Sequence, residues 1–388
     1  MNFIFISPNF PHTYWNFCDR LRKNGVNILG IGDCPYFDLE EPLRNSLENY
    51  YEVKEAVRFF REKYGKIDWI ESNNEYWLEK DAQLRTEFNI TTGVQSDSIE
   101  KWKRKSLMHE IYVNAGIPKA RQHKVTNIED ALNFINDVGG YPVIVKPDIG
   151  VGAYNTQKIK NEYELRDFYN KHIPRPFVME EFIEGNICSY DAIVNSKGEP
   201  LFESSSVFPP SIADIVNEGK DLAYYTRTEI PEKLINLGRK TVKAFDVKSR
   251  FIHFEFFCLT KKYPHIGDIG DFAALEVNMR PAGGYTPDMM DYANSTDVYQ
   301  IWADMITTDK RILPPSDKKM FCLFASRKYG FEYVHTHDEI YQKYGNNIVM
   351  CEQMPQIMWD TMGCQMYTIC LPTLNEVNEA FEFILRRK

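Results

Sequence analysis

Two short segments hold residues whose types and spacing could do chemistry. In Arg250-Phe-Ile-His-Phe-Glu-Phe-Phe257 a period of two sets Ile252, Phe254 and Phe256 on one face of a strand and His253 and Glu255 on the other. In Ala274-Leu-Glu-Val-Asn-Met-Arg280 the same period separates Leu275, Val277 and Met279 from Glu276, Asn278 and Arg280. Each strand thus has one apolar face and one carrying oxygen or nitrogen groups. Two carboxylates and an amide oxygen suit Mg²⁺, or Mn²⁺ in its place, because hard cations take oxygen ligands and leave positions for water and phosphate. Ordinary solvated strand faces would carry similar residues. Arg280 runs into Pro-Ala-Gly-Gly284, which makes an anion clamp beside a flexible turn.

Three further segments could meet an anion or a base. Lys105 lies three residues before Met108, on the apolar face that Met108, Ile111, Tyr112 and Ala115 give a helix. That helix is read from an N-cap at Ser98 to a stop at Gly116 and Pro118. A lysine there reaches an anion or snorkels to water. Val143 to Lys146 form a short β-branched strand that opens into Asp148-Ile-Gly-Val-Gly-Ala-Tyr-Asn-Thr156. Its backbone N–H groups, at Gly150 and Gly152, could cradle phosphates with Lys146 adding charge. It is not a Walker A loop, and a plain hairpin loop would read similarly. Phe177-Val-Met-Glu-Glu-Phe-Ile-Glu-Gly185 is an apolar strand ending in an acidic turn, compatible with an adenine slot or with a surface edge strand.

The elements that must position these groups begin with an α/β region over residues 1 to about 95. Phe3 to Ser7 is apolar, Thr13 to Asn24 is amphipathic and stops at Gly25, and Val26 to Ile31 is apolar again. A second unit runs through Ala56 to Tyr64, Ile67 to Glu71 and a helix around Glu75 to Phe88. This βαβ pattern predicts a parallel sheet. Ser7-Pro-Asn-Phe-Pro11 stands where a dinucleotide site would have its glycines, so NAD binding is not expected even though Asp33 closes the second strand. A helix is read near Ile128 to Val138. Residues 204 to 225 form a long excursion that could contact substrate. The tail from Lys318 offers strands at Met320 to Ala325 and Met366 to Leu371, then a helix from Leu374 to Leu385.

The chain has 388 residues, enough for two or three packed units. A net charge of −9 argues against nucleic acid and anionic membrane, which both need a basic surface. The N-terminus lacks the pattern of a secretory signal, so the expected compartment is the cytoplasm. Eight cysteines form no CxxC pair, and His335-Thr-His337 has no third ligand at a useful spacing, so structural zinc is not expected.

The order of these signals across residues 1 to 300 resembles the ATP-grasp superfamily, specifically carboxylate–amine ligases similar to biotin carboxylase, the carbamoyl phosphate synthetase large chain and L-amino-acid ligases. The resemblance implies an α/β protein, α+β in its ATP-grasp part. A preATP-grasp parallel-sheet domain (1–97) would be followed by a small lobe (98–178), a large lobe with the metal site (179–317) and a small C-terminal subdomain (318–388). It further implies that Lys105 and Lys146 bind ATP phosphates and that Gly150 and Gly152 belong to the loop closing over them. Glu180, Glu181 and Ile183 would hold adenine, Glu255, Glu276 and Asn278 would hold Mg²⁺ or Mn²⁺, and Arg280 would act on the transferred phosphoryl. Ile187 stands where relatives carry a ribose-binding glutamate, leaving Glu184 or Asp191 for that contact.

The implied reaction joins a small-molecule carboxylate to an amine through an acyl phosphate, releasing ADP and phosphate. A biotin-carboxylase-like carboxylase and a non-catalytic ATP-binding protein are the alternatives. The substrates and the assembly state, a homodimer included, stay open.

Overall fold

The computed structural model describes residues 1–51, 56–150, 155–171, 177–209, 221–356 and 359–388. Gly152 and much of the 204–225 excursion lie outside the described residues. The first four strands, β1 (Asn2–Ile6), β2 (Asn27–Ile31), β3 (Asn49–Tyr51) and β4 (Trp69–Glu71), form a sheet ordered β3-β2-β1-β4. Every pairing in it is parallel, as the βαβ pattern requires.

Both faces of that sheet are covered, which explains why β1 is a continuous apolar run. Ile4 and Ile6 pack with Val57, Phe60 and Ile70 on one side. On the other, Phe3 and Phe5 meet Phe17, Tyr299 and Trp302, so the helix Val298–Thr308 from far along the chain completes this core.

The small lobe is an antiparallel sheet of β5 (Gln122–Val125), β6 (Val143–Pro147), β7 (Gln157–Ile159) and β8 (Phe177–Glu181), ordered β5-β8-β6-β7. Helices Ile128–Asp137 and Glu162–Asn170 close one face through Ala131, Phe134, Leu165 and Phe168. The helix carrying Lys105 runs from Lys105 to Asn114 and does not begin at Ser98. Glu100–Trp102 is a separate 3₁₀ turn, and Arg104 is extended. The helix starts late because its cap comes from a distant segment. Asp148, just after β6, accepts the Lys105 N–H on its carbonyl and the Ser106 N–H on Oδ1, each at 2.8 Å.

The third sheet has nine strands. β9 (Gly185–Val194), β10 (Pro200–Ser204), β11 (Ser206–Phe208), β12 (Leu222–Thr226), β13 (Arg250–Leu259), β14 (Phe272–Asn278), β15 (Phe321–Arg327), β16 (Ile348–Gln353) and β17 (Gln365–Leu371) run β14-β13-β9-β11-β12-β15-β17-β16, with β10 also on β9. The tail strands β15 to β17 thus continue the large-lobe sheet. The register of β13 on β14 shifts between Glu255 and Phe256. The bulge moves Leu275 out of strict alternation: Ala274, Val277 and Met279 enter the core, while Leu275 lines a cleft, contrary to the period-two reading.

Candidate active site

A cleft of about 880 Å³ lies between the small-lobe sheet and one face of the large sheet. Lys105, Lys146, Glu180, Glu181, Ile183, Glu255, Glu276, Asn278 and Arg280 all line it, although more than 170 positions separate the ends of this set. Gly150 joins through its carbonyl, which accepts from Lys105 Nζ at 3.1 Å.

One end of the cleft is built on ion pairs. Glu180 receives Lys146 at 2.6 Å on Oε2, and Lys119 at 3.2 Å and Gln122 at 2.6 Å on Oε1. Burial would raise the Glu180 carboxyl, but Lys119 and Lys146 outweigh it and hold the group far below the usual carboxylate range. Lys119, absent from the sequence reading, also donates to the Leu275 carbonyl at 3.1 Å and lies over the Tyr112 ring. Burial pulls its ammonium below the usual lysine range, with Glu180 opposing and Lys146 adding to the effect. Two lysines on one carboxylate leave an excess positive charge, a fit for an anion. Glu181 turns the other way, to Arg121 at 3.0 Å and His265 at 2.9 Å, while Ile183 packs with Ala120, Leu259 and Tyr263.

The oxygen-bearing residues come together as the alternation requires. Glu255 and Glu276 are direct cross-strand partners, as are His253 and Asn278. Glu276 Oε1 accepts from Lys105 Nζ at 2.8 Å. Burial disfavours the Lys105 charge, but Glu276, ahead of Glu180 and Glu75, holds its pKa above the usual value.

The alternation of β13 places His253 on this polar face beside Glu255. Its Nδ1 is 2.6 Å from Asp191 Oδ1 and its Nε2 3.3 Å from Glu255 Oε1. Burial lowers it, but Asp191 and then Glu255 raise it to about 9. A cationic imidazole donates to both carboxylates and fixes the Glu255 side chain from behind. The bond to His253 helps hold Glu255 below the usual carboxylate range against its burial. Asp191 is fully buried and also accepts from Ser189, so of the two ribose candidates only Glu184 faces the cleft.

A hard divalent cation fits this donor set. Among the described residues no three His, Cys, Asp or Glu side chains stand together as a metal site. Two opposed carboxylates with one amide oxygen leave the remaining positions to a phosphate-bearing ligand and water. Arg280, at the end of β14, donates to the Pro281 carbonyl at 2.8 Å, and its Nε is 3.5 Å from Glu75 Oε2 of the first domain. Burial raises the Glu75 carboxyl above its ordinary range, with Arg280 opposing.

Beyond Arg280 the lining changes character. Phe208, Leu222, Tyr224, Ala282, Thr286 and Met362 meet there, and none is charged. The Phe208, Tyr224 and Phe324 rings stack at successive centroid distances of 5.1 Å. Thr286 Oγ1, at the start of the helix Thr286–Asn294, donates to the Tyr224 hydroxyl at 3.2 Å and so ties that helix to β12.

Residues 100–283 match the family model described as an ATP-grasp domain. The carbamoyl phosphate synthase large chain of Clostridium acetobutylicum is 24% identical over 168 residues, 40% of this chain and 15% of that protein. Its counterpart from Thermotoga sp. (strain RQ2) is 33% identical over 98 residues, 25% of this chain and 9% of that one. The matched segments are thus a small part of those longer relatives. Among solved structures, the L-amino acid ligase from Bacillus licheniformis superposes with a TM-score of 0.70 at 14% identity, covering 98% of this chain and 96% of that one. Phosphoribosylglycinamide synthetase from Anaerococcus prevotii gives 0.70 at 14% over 100% and 98%. The biotin carboxylase domain of Hydrogenobacter thermophilus 2-oxoglutarate carboxylase, solved with MgADP, ADP and bicarbonate, gives 0.70 at 15% over 100% and 90%. At such identities the likeness establishes the fold.

Proposed function

We propose that this chain, whose residues 100–283 match the ATP-grasp domain model, is a cytoplasmic, magnesium-dependent ligase that joins a carboxylate to an amine through an acyl phosphate, releasing ADP and phosphate. One observation carries the reading: Glu255 and Glu276 face each other across two strands in the same cleft as Lys105, Lys146 and Arg280. Magnesium, when bound, offsets charge on the terminal phosphates. Lys105 and Lys146 would hold those phosphates, Ile183 would flank the base, and Glu184 would take the ribose. Arg280 would stabilise charge on the moving phosphoryl, since electrostatic positioning supplies most of the catalysis in such transfers.

In the first step a substrate carboxylate oxygen attacks the γ-phosphorus and the bond to the β-phosphate oxygen breaks, leaving ADP. In the second, the amine nitrogen attacks the acyl carbon. The carbon–oxygen bond to phosphate breaks, and the ammonium proton passes to solvent. No nucleophilic side chain is needed. The test is to supply magnesium, ATP and a panel of carboxylates, with hydroxylamine as the amine. Hydroxamate formed in step with ADP supports the reading. Accumulation of AMP and pyrophosphate overturns it.

A further inference from the structure

The cleft is divided by charge. Its lysines and carboxylates come from the small lobe, from β13 and β14, and from the turn before β9. The lining from β11, β12 and the turn after Arg280 is uncharged among the described residues, and Met362 closes on it. The strand order places β11 and β12 on the far side of β9 from β13 and β14, so the two kinds of lining occupy opposite ends. His253 stands between them, its charge met by Asp191, with its ring edge-on to Phe208 at 6.3 Å.

Arg280 borders both ends. A carboxylate drawn to it leaves the rest of its molecule in the uncharged end. There Phe208 is the outermost of a run of near-parallel rings, stacked on Tyr224 at 25° and only half-buried. Gly284 opens the approach: its φ is +63°, and a Cβ there would come within 2.9 Å of the Met362 terminal methyl. Among the described lining residues of this end, a second charged group would lose its water and find no counter-charge. A very small acid such as bicarbonate would leave the ring face and the Met362 methyl uncovered. A flat apolar group covers both and gains stacking.

Resting on the ligase reading, we propose that the carboxylate substrate bears a planar apolar ring, seated against Phe208, Tyr224 and Met362 with its carboxylate toward Arg280. Two sources share this chemistry, aromatic amino acids and aromatic acids without an amine.

The test measures ADP release by the full chain with magnesium, ATP and hydroxylamine as the acceptor amine, using L-phenylalanine, phenylacetate, L-leucine, L-glutamate and bicarbonate. A ring-bearing acid is expected to exceed L-glutamate and bicarbonate in kcat/KM by at least about 30-fold, and the leading ring compound identifies the source. Phe208→Leu, which keeps the bulk and removes the ring, should bring L-phenylalanine and L-leucine within about 3-fold of each other. Met362→Trp, which fills the end of the pocket, should lower kcat/KM for the ring compound at least about 10-fold. If L-glutamate or bicarbonate is the best substrate, the ring proposal fails and the ligase reading stands. Unchanged ring preference in both variants removes the pocket from recognition. Absence of ADP with every carboxylate defeats the ligase reading and this proposal with it.

Discussion

Lys105 Nζ lies 2.8 Å from Glu276 Oε1, so the first residue of a helix capped by the small lobe is latched to the middle of β14 in the large lobe. Each satisfies the other's charge, and an arriving triphosphate would compete with Glu276 for this lysine. Lys105→Met keeps the stem and deletes the charge. It should lower kcat/KM for ATP at least about 100-fold and leave the melting temperature within a few degrees. Steady-state kinetics and thermal unfolding decide it. Normal kinetics with a lowered melting temperature would make the latch purely structural.

Glu255 and Glu276 are expected to fail together. Glu255→Gln and Glu276→Gln should each cost about 100- to 1000-fold in kcat, as removal of one electrostatic contact to a transferring group does. The fold should survive, because the buried neighbours in β14 are Ala274 and Val277. Circular dichroism alongside ADP release checks both halves. Full activity in either variant takes that residue out of the metal set.

Arg250 joins the first domain to the large lobe. It donates to Glu71 Oε2 at 2.7 Å and to the Met279 carbonyl at 2.6 Å, while Arg85 meets the same Glu71 oxygen at 3.1 Å. Burial would raise Glu71, but Arg250 and Arg85 keep it ionised below its ordinary range. Arg250→Met should destabilise the fold by about 3 to 5 kcal/mol, the usual cost of breaking a buried ion pair from one side, as read by urea unfolding.

Asp288 gives a pH signature of the opposite sign to a salt-bridged acid. Burial raises its carboxyl from 3.8 to about 7, with Glu352 adding to the effect and hydrogen bonds to Tyr299 and Thr13 opposing it. Between those two values the unfolded chain is ionised while the folded one holds the proton, so stability falls as pH rises across that window. Asp288→Asn removes this titration. Its stability should match wild type near pH 4 and exceed it by pH 8, by up to about 4 kcal/mol for a carboxyl moved from 3.8 to about 7, as read by urea unfolding at the two pH values. A pH-independent difference would contradict the assignment.

Legibility from sequence followed the range of the interactions involved. Strand alternation is local, so Glu255, Glu276 and Asn278 could be seen to share faces, and they do. The late helix start at Lys105 could not be read, because its cap is Asp148, forty-two residues past Ser106. Leu275 was misplaced because a bulge depends on the partner strand. Lys119 was missed because its meaning depends on Glu180, which only folding brings within 3.2 Å. His253 did leave a signal, two positions before Glu255 on the same face, but its link to Asp191 needed the β9–β13 register.

The Glu71–Arg250 pair also governs how the chain could be divided. A fragment beginning at residue 98 would retain Arg250 without Glu71, and would bare the Tyr299 and Trp302 rings that Phe3, Phe5 and Phe17 now cover. A fragment ending at residue 97 would keep Glu71 and Arg85 but lose Arg250, and would expose the aromatic side of its sheet. Neither piece is built to stand alone. Expressed together, the two should reassemble by complementation, because each carries what the other's interior lacks.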